Sequence, residues 1–157
     1  MDISYTRYLL RMQDKTRDPR LRRSLGYALV RAFRAVNRAS NRALKRYGLS
    51  AEQAHILLVL WLEGPMRMTD LQRIVMLSSG TLTGAIDRME RADLVRRVAD
   101  ADDRRAWRVE PVEPEGASRR IIEAALEKIE EDYFAALSAS ERRELLRLLD
   151  KVTASIA

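Results

Sequence analysis

At 157 residues, with 46% hydrophobic and 33% charged side chains, the chain has the length and composition of one ordinary globular core. It carries no cysteine and a single histidine, His55, which excludes a disulfide framework, thiol redox chemistry and a multi-histidine metal site. No apolar run approaches the roughly 18 residues of a membrane span, and the N-terminus lacks a signal-peptide core, so the expectation is a cytoplasmic protein with no membrane partner and no cofactor.

The formal charge of +6 and the pI near 10.0 favour a polyanionic partner. The charge is unevenly placed. Residues 1–47 hold 13 basic and 3 acidic side chains, net +10, whereas 65–110 hold 9 and 8, net +1. Residues 48–64 carry −2 and 111–157 carry −3. The basic excess therefore lies on an N-terminal arm.

In chain order, 3–12 suits a short helix ending before the Asp18-Pro19 break. Residues 21–47 carry a helical stripe of Leu25, Ala28, Leu29, Ala32, Phe33, Val36, Ala43, Leu44 and Tyr47, and Gly48 is a natural stop. Ser50 to Gln53 forms a capping box that opens a helix with Leu57, Leu58 and Trp61 inward, closed by Gly64-Pro65. Thr69 to Gln72 reads as another capping box, starting a short helix to about Val75. After a Leu77-Ser78-Ser79 turn, a helix over 78–92 buries Leu82, Ile86 and Met89. Residues 94–98 and 106–112 read as two strands around a polar tip at 100–105, with Asp93 where a glycine would suit the turn.

Downstream, Pro114 suits the first turn of a helix whose seam is Ile122, Leu126, Ile129 and Tyr133. Ser138 to Glu141 is a further capping box, opening a last helix with Leu145, Leu148, Leu149 and Val152. The predicted fold is mainly α with a small β-hairpin: a winged helix-turn-helix lobe with helices on either side.

That order points to duplex DNA. With Leu82, Ile86 and Met89 inward, Ser79, Thr81, Thr83, Gly84, Asp87, Arg88 and Arg91 face outward or flank the outer face. Small hydroxyl side chains and a glycine let a helix press into a major groove, and Ser78 stands at its positive N-terminal end. A solvated helix face has the same composition, so the surrounding turn and hairpin carry the inference. At the tip, Asp100 and Asp103 are expected to brace the loop, while Arg104 or Arg105 is placed to enter the adjacent minor groove.

The runs Leu77-Ser78-Ser79-Gly80-Thr81-Leu82-Thr83, Ile86-Asp87-Arg88-Met89-Glu90, Leu94-Val95 and Asp103-Arg104-Arg105 resemble the multiple antibiotic resistance regulator (MarR) family over about residues 49–112. The flanking helices match only in kind and order. The chain departs from the family pattern at Asp93, at Gly84, where many members carry a long polar side chain, and at Glu113-Pro114. The resemblance implies a homodimeric regulator of a pseudo-palindromic operator, usually a repressor relieved by a small anionic or aromatic effector.

On that reading 1–157 is one domain: an arm and first dimerisation helix (1–47), the winged helix-turn-helix (49–112) and C-terminal dimerisation helices (113–157). Ile122, Leu126, Ile129, Tyr133, Leu145, Leu149 and Val152 are the expected dimer face, although the first seam could equally pack inside one subunit. By the same resemblance Tyr27, Arg31, His55 and Trp61 are candidate effector-pocket residues. Tyr27 and Trp61 also suit a core or interface, and His55 an exposed helix position. Arg31, Arg34, Arg38, Arg42 and Lys45 form a basic stripe that suits a solvated face, extra phosphate contacts or attraction of an anion.

An enzyme is disfavoured, because the chain has no second histidine, no cysteine, no glycine-rich phosphate loop and no serine with a triad partner. A protein-interaction or dimerisation module without specific DNA binding is the remaining alternative. The arginines at both the outer helix and the hairpin tip argue against it.

Overall fold

The computed structural model describes residues 18–100, 103, 106–112 and 118–156, without the side chains of Arg22 and Ser118. The predicted helix over 3–12, the wing arginines Arg104 and Arg105, and Pro114 lie outside the described residues. The chain divides into two compact units, Met1–Ala39 and Ser40–Ala157.

The first unit is helical. Asp18 caps a short helix α1 (Pro19–Arg23), accepting from the Arg20 N–H, and Pro19 occupies the first turn, where its missing donor costs nothing. Helix α2 (Leu25–Leu44) follows, its first turn capped by Ser24, whose Oγ accepts from the Tyr27 N–H at 3.2 Å. Leu25, Leu29, Phe33 and Val36 of its apolar stripe are exposed. Its last turn, from Ser40, belongs to the second unit, where Leu44 is fully buried.

In the second unit a 3-10 turn over Lys45–Tyr47 ends on Gly48, whose φ of 71° lies in the left-handed region that favours glycine. Ser50 then makes both halves of its capping box with Gln53, and α3 (Ala51–Glu63) buries Ala54, Ile56, Leu57, Val59, Leu60 and Trp61. The next elements are β1 (Met66–Arg67), α4 (Met68–Val75), α5 (Ser79–Arg91), β2 (Val95–Ala99) and β3 (Trp107–Pro111). The sheet is antiparallel with order β1-β3-β2, Met66 facing Val109 and Arg97 facing Val109 from the other side.

Strand β1 is absent from the sequence reading, and it corrects the Thr69 capping box. Arg67 holds the N-cap position of α4 in an extended conformation, with no side-chain cap, because it is already paired with Arg108 in the sheet. Two non-glycine residues adopt left-handed backbone: Met76, which ends α4 at φ 53°, and Asp93, also at φ 53°, where the sequence required such a residue.

Helix α6 (Ser118–Tyr133) lies against this core. Its Ile122 is buried, and Leu126 and Ile129 pack on the same cluster as Leu57, Leu60 and Trp61. Of the two roles the sequence left open for this seam, packing within the subunit is the one these contacts serve, while Leu126 and Ile129 stay half-buried. Arg119 secures the contact, donating to the Trp61 carbonyl at 3.1 Å with its guanidinium 5.5 Å from the indole centre. Helix α7 (Ala139–Ile156) is capped by Ser138 and Glu141 and buries no residue of its own. Leu145, Leu146, Leu148, Leu149 and Val152 are all exposed.

Candidate nucleic-acid interface

Helix α5 is built to show one face. Ser78 accepts from the Thr81 N–H at 3.2 Å, and the two hydroxyl oxygens lie 2.7 Å apart. This cap satisfies a donor of the first turn that would otherwise be orphaned. Leu82, Ala85, Ile86 and Met89 are buried, which fixes the rotation of the helix. Ser79, Thr81, Thr83, Arg88 and Arg91 are exposed on the remaining surface, and Gly84 is half-buried. A Cβ at position 84 would lie 3.4 Å from Arg88 Nη1, so glycine gives the Arg88 side chain room to lie back along its own helix. There Arg88 reaches Glu52 of α3 at 3.5 Å, a long and exposed pair that leaves the guanidinium little constrained.

The hairpin is tied to this helix by an arginine to which the sequence reading gave no role. Arg97 of β2 donates through Nη2 to Asp87 at 2.5 Å and through Nη1 to Glu90, while its backbone N–H donates to Glu90 at 3.1 Å. Burial alone would lower its pKa, but the hydrogen bond to Asp87 and the charges of Glu90 and Asp87 outweigh that and hold it above the ordinary arginine value. The signal was present in the strand. Val95 and Arg97 share a face by the alternation of a strand, and an arginine on the buried side needs an acidic partner. Asp87, expected as part of the outward face, is engaged in this clamp.

The base of the wing tip has its own brace. Asp100, only 3% exposed, accepts from Arg67 Nε at 2.8 Å and Nη2 at 3.1 Å, with Arg108 Nη1 at 3.9 Å. Its Oδ1 also accepts from the Asp103 N–H at 3.1 Å. The turn is closed by Asp100 N–H to the Ala106 carbonyl and Ala106 N–H to the Asp103 carbonyl, at 3.0 and 2.8 Å. Asp100 thus acts through its carboxylate and its backbone N–H, and the Asp103 backbone closes the turn with it. Arg67, missed from sequence, connects this brace to the start of α4.

The four candidate effector residues fall in different units. In the first, the Arg31 guanidinium lies 5.9 Å from the Tyr27 ring centre. In the second, His55 is exposed and Trp61 is buried. Trp61, Arg96, Glu110 and Arg119 help line a cavity of about 300 Å³ at the base of the hairpin. The Trp61 indole N–H is buried without a hydrogen-bond partner.

Comparison with known proteins agrees with this architecture. The MarR family model matches residues 49–107. The HTH-type transcriptional regulator MgrA of Staphylococcus aureus is 32% identical over 133 residues, which is 84% of this chain and 89% of MgrA. A probable transcriptional regulator from Pseudomonas aeruginosa superimposes with a TM-score of 0.74 at 27% identity, over 84% of this chain and 98% of that one. BpsR of Bordetella bronchiseptica, whose DNA binding is regulated by 6-hydroxynicotinic acid, superimposes with a TM-score of 0.74 at 25% identity, over 83% and 94% of the two chains. The helix-turn-helix of α4 and α5, the hairpin clamped to it and these relatives together place the chain in the MarR family of winged-helix, DNA-binding transcriptional regulators.

Proposed function

We propose that the chain is a homodimeric repressor of a pseudo-palindromic operator, with the helix over 78–92 in the major groove and the wing tip at 100–105 in the adjacent minor groove. The observation that carries this reading is α5 itself, whose buried face is wholly apolar and whose exposed face offers Ser79, Thr81, Thr83 and Arg88. Ser78 serves as cap and hydroxyl donor at the helix N-terminus, and Gly84 keeps the backbone close to the groove. Arg104 or Arg105 supplies the minor-groove contact. The reading is of a regulator acting on cytoplasmic DNA and not of an enzyme.

The dimer follows from uncovered apolar surface. Leu145, Leu149 and Val152 stand exposed on α7, beside a groove shared with Phe134 just after α6, and a second copy is the partner whose two-fold symmetry matches a pseudo-palindrome. Tyr133, the last residue of α6, is half-buried. Among the described residues no helix is long and apolar enough to cross a membrane, so this surface has no bilayer role through such a helix. Relief of repression by a small anionic or aromatic effector is part of the proposal and is supported by the regulation of BpsR; within the second unit the cavity lined by Trp61 and Arg119 is the candidate place for it.

The test is a paired substitution, Thr81→Ala with Thr83→Ala, read as the ratio of operator to random-duplex affinity. A fall in that ratio of roughly tenfold is expected for loss of base-edge contacts. An unchanged ratio would remove α5 from sequence reading.

A further inference from the structure

We propose that Trp107 is a DNA-contact residue, packing its indole against the deoxyribose-phosphate ridge that separates the major groove held by α5 from the minor groove reached by the wing. The inference rests on the DNA-binding reading above and adds to it an apolar contact that no arginine supplies.

The argument begins with the register. Directly paired residues of an antiparallel ladder project to the same side, so the pairs Val95 with Pro111, Arg97 with Val109 and Ala99 with Trp107 share one face of the hairpin. That face is turned toward the body of the lobe: Val95 and Val109 are in the core, and Arg97 grips Asp87 and Glu90 of α5. Trp107 lies two residues nearer the tip than Val109, a step of about 7 Å at the usual strand rise. It has therefore left the core but still projects on the side where the reading helix lies, and it is 57% exposed. Its cross-strand neighbour Ala99 has only a methyl group and leaves the indole largely uncovered.

A single exposed apolar residue on a protein surface is ordinary. The position of this one is what assigns it a partner. A duplex lying against the exposed face of α5 and reaching the wing must carry one backbone strand across the gap between them. The occupant of that gap is a sugar-phosphate ridge, whose deoxyribose faces are apolar and whose phosphates would meet exposed arginines of α5 such as Arg88 and Arg91. A broad ring with an N–H donor fits such a surface, burying its faces on sugars with the N–H free to meet a phosphate oxygen. Because sugars are common to every sequence, the contact contributes affinity without selectivity.

The experiment uses the full chain, an operator duplex and a random duplex of equal length. Indole emission is recorded for the wild type and for Trp107→Phe, in which only Trp61 remains, and affinities are measured by anisotropy for both and for Trp107→Ala. Duplex addition should change the emission of the wild type and leave that of Trp107→Phe unaltered. Trp107→Ala should bind operator and random DNA about tenfold more weakly, the equivalent of losing on the order of 60 Å² of apolar contact, with the salt dependence unchanged because no phosphate charge is lost. Emission changes that persist in Trp107→Phe would overturn the assignment, as would an affinity loss below twofold in Trp107→Ala. An emission change driven by protein concentration alone would instead assign the indole to contacts between copies. A wild type that binds no duplex would overturn the DNA reading as well, whereas wild-type binding with a silent Trp107 would overturn this inference alone.

Discussion

Substituting Asp100 by alanine should loosen the wing and cost measurable stability. Its side chain is 1% exposed and receives two nitrogens of Arg67 at 2.8 and 3.1 Å, with Arg108 Nη1 at 3.9 Å and the Asp103 N–H at 3.1 Å. Removing one partner of a fully buried ion pair costs roughly 3–5 kcal/mol, chiefly because the other charge is left stranded. Here the stranded side chains, Arg67 and Arg108, are 39% and 38% exposed and can recover water. That screening reduces the expected loss to about 2 kcal/mol. For a chain of this length such a loss lowers the melting temperature by about 4–8 °C. The assay is thermal unfolding of the wild type, Asp100→Ala, Arg67→Met and the double variant. The double variant should lose less than the two single losses added together, since each single change removes the same interaction. A loss below about 0.5 kcal/mol for Asp100→Ala, within the range of ordinary surface changes, would refute the brace.

Three further outcomes follow from the same geometry. Arg97→Met releases Asp87 and Glu90 together, so operator affinity should fall about tenfold while binding to random duplex falls less, as measured by competition anisotropy; equal losses would show that the clamp does not register helix and wing. Leu149→Glu puts a charge on the exposed face of α7 and should shift the chain from dimer to monomer in sedimentation, with little change in its helical circular dichroism because no core contact of this subunit is lost. A stable wild-type monomer would contradict the dimer outright. The Glu141 carboxylate is held below the ordinary glutamate value by the Ser138 hydroxyl and then by the Ser138 backbone N–H. Its capping contribution is therefore complete above the ordinary glutamate value and is lost as pH falls through the lowered one. Amide exchange at the start of α7 should speed up over that acid window, and Glu141→Gln should remove the dependence.

The readable parts of this molecule are the ones whose causes are local. Leu82, Ile86 and Met89 recur at helical spacing, Ser78 caps the same helix, and Ser50 with Gln53 opens another; each signal lies within a few residues of its effect. The left-handed Asp93 was legible for the same reason, because the turn between α5 and β2 requires it. Strand β1 was not. Its two residues are extended because β3, some forty residues later, pairs with them, and the N-cap of α4 moved to Arg67 in consequence. The Arg97 clamp was half-legible: alternation places Arg97 beside Val95, but only the fold brings Asp87 and Glu90 to it. The apolar seam of α6 was visible as a stripe, yet a stripe does not state what covers it. Ile122 turned out to cover its own subunit's core, while Leu145 and Leu149 of α7 remained uncovered.

The central claim is a sequence-specific grip on duplex DNA, and titration of the purified chain against DNA from upstream of its own gene, at several salt concentrations, tests it most directly. The account predicts a site bound at least a thousandfold more tightly than random duplex, roughly the lower limit for specific regulators, with affinity falling steeply as salt rises. Equal and weak binding to every sequence would contradict it.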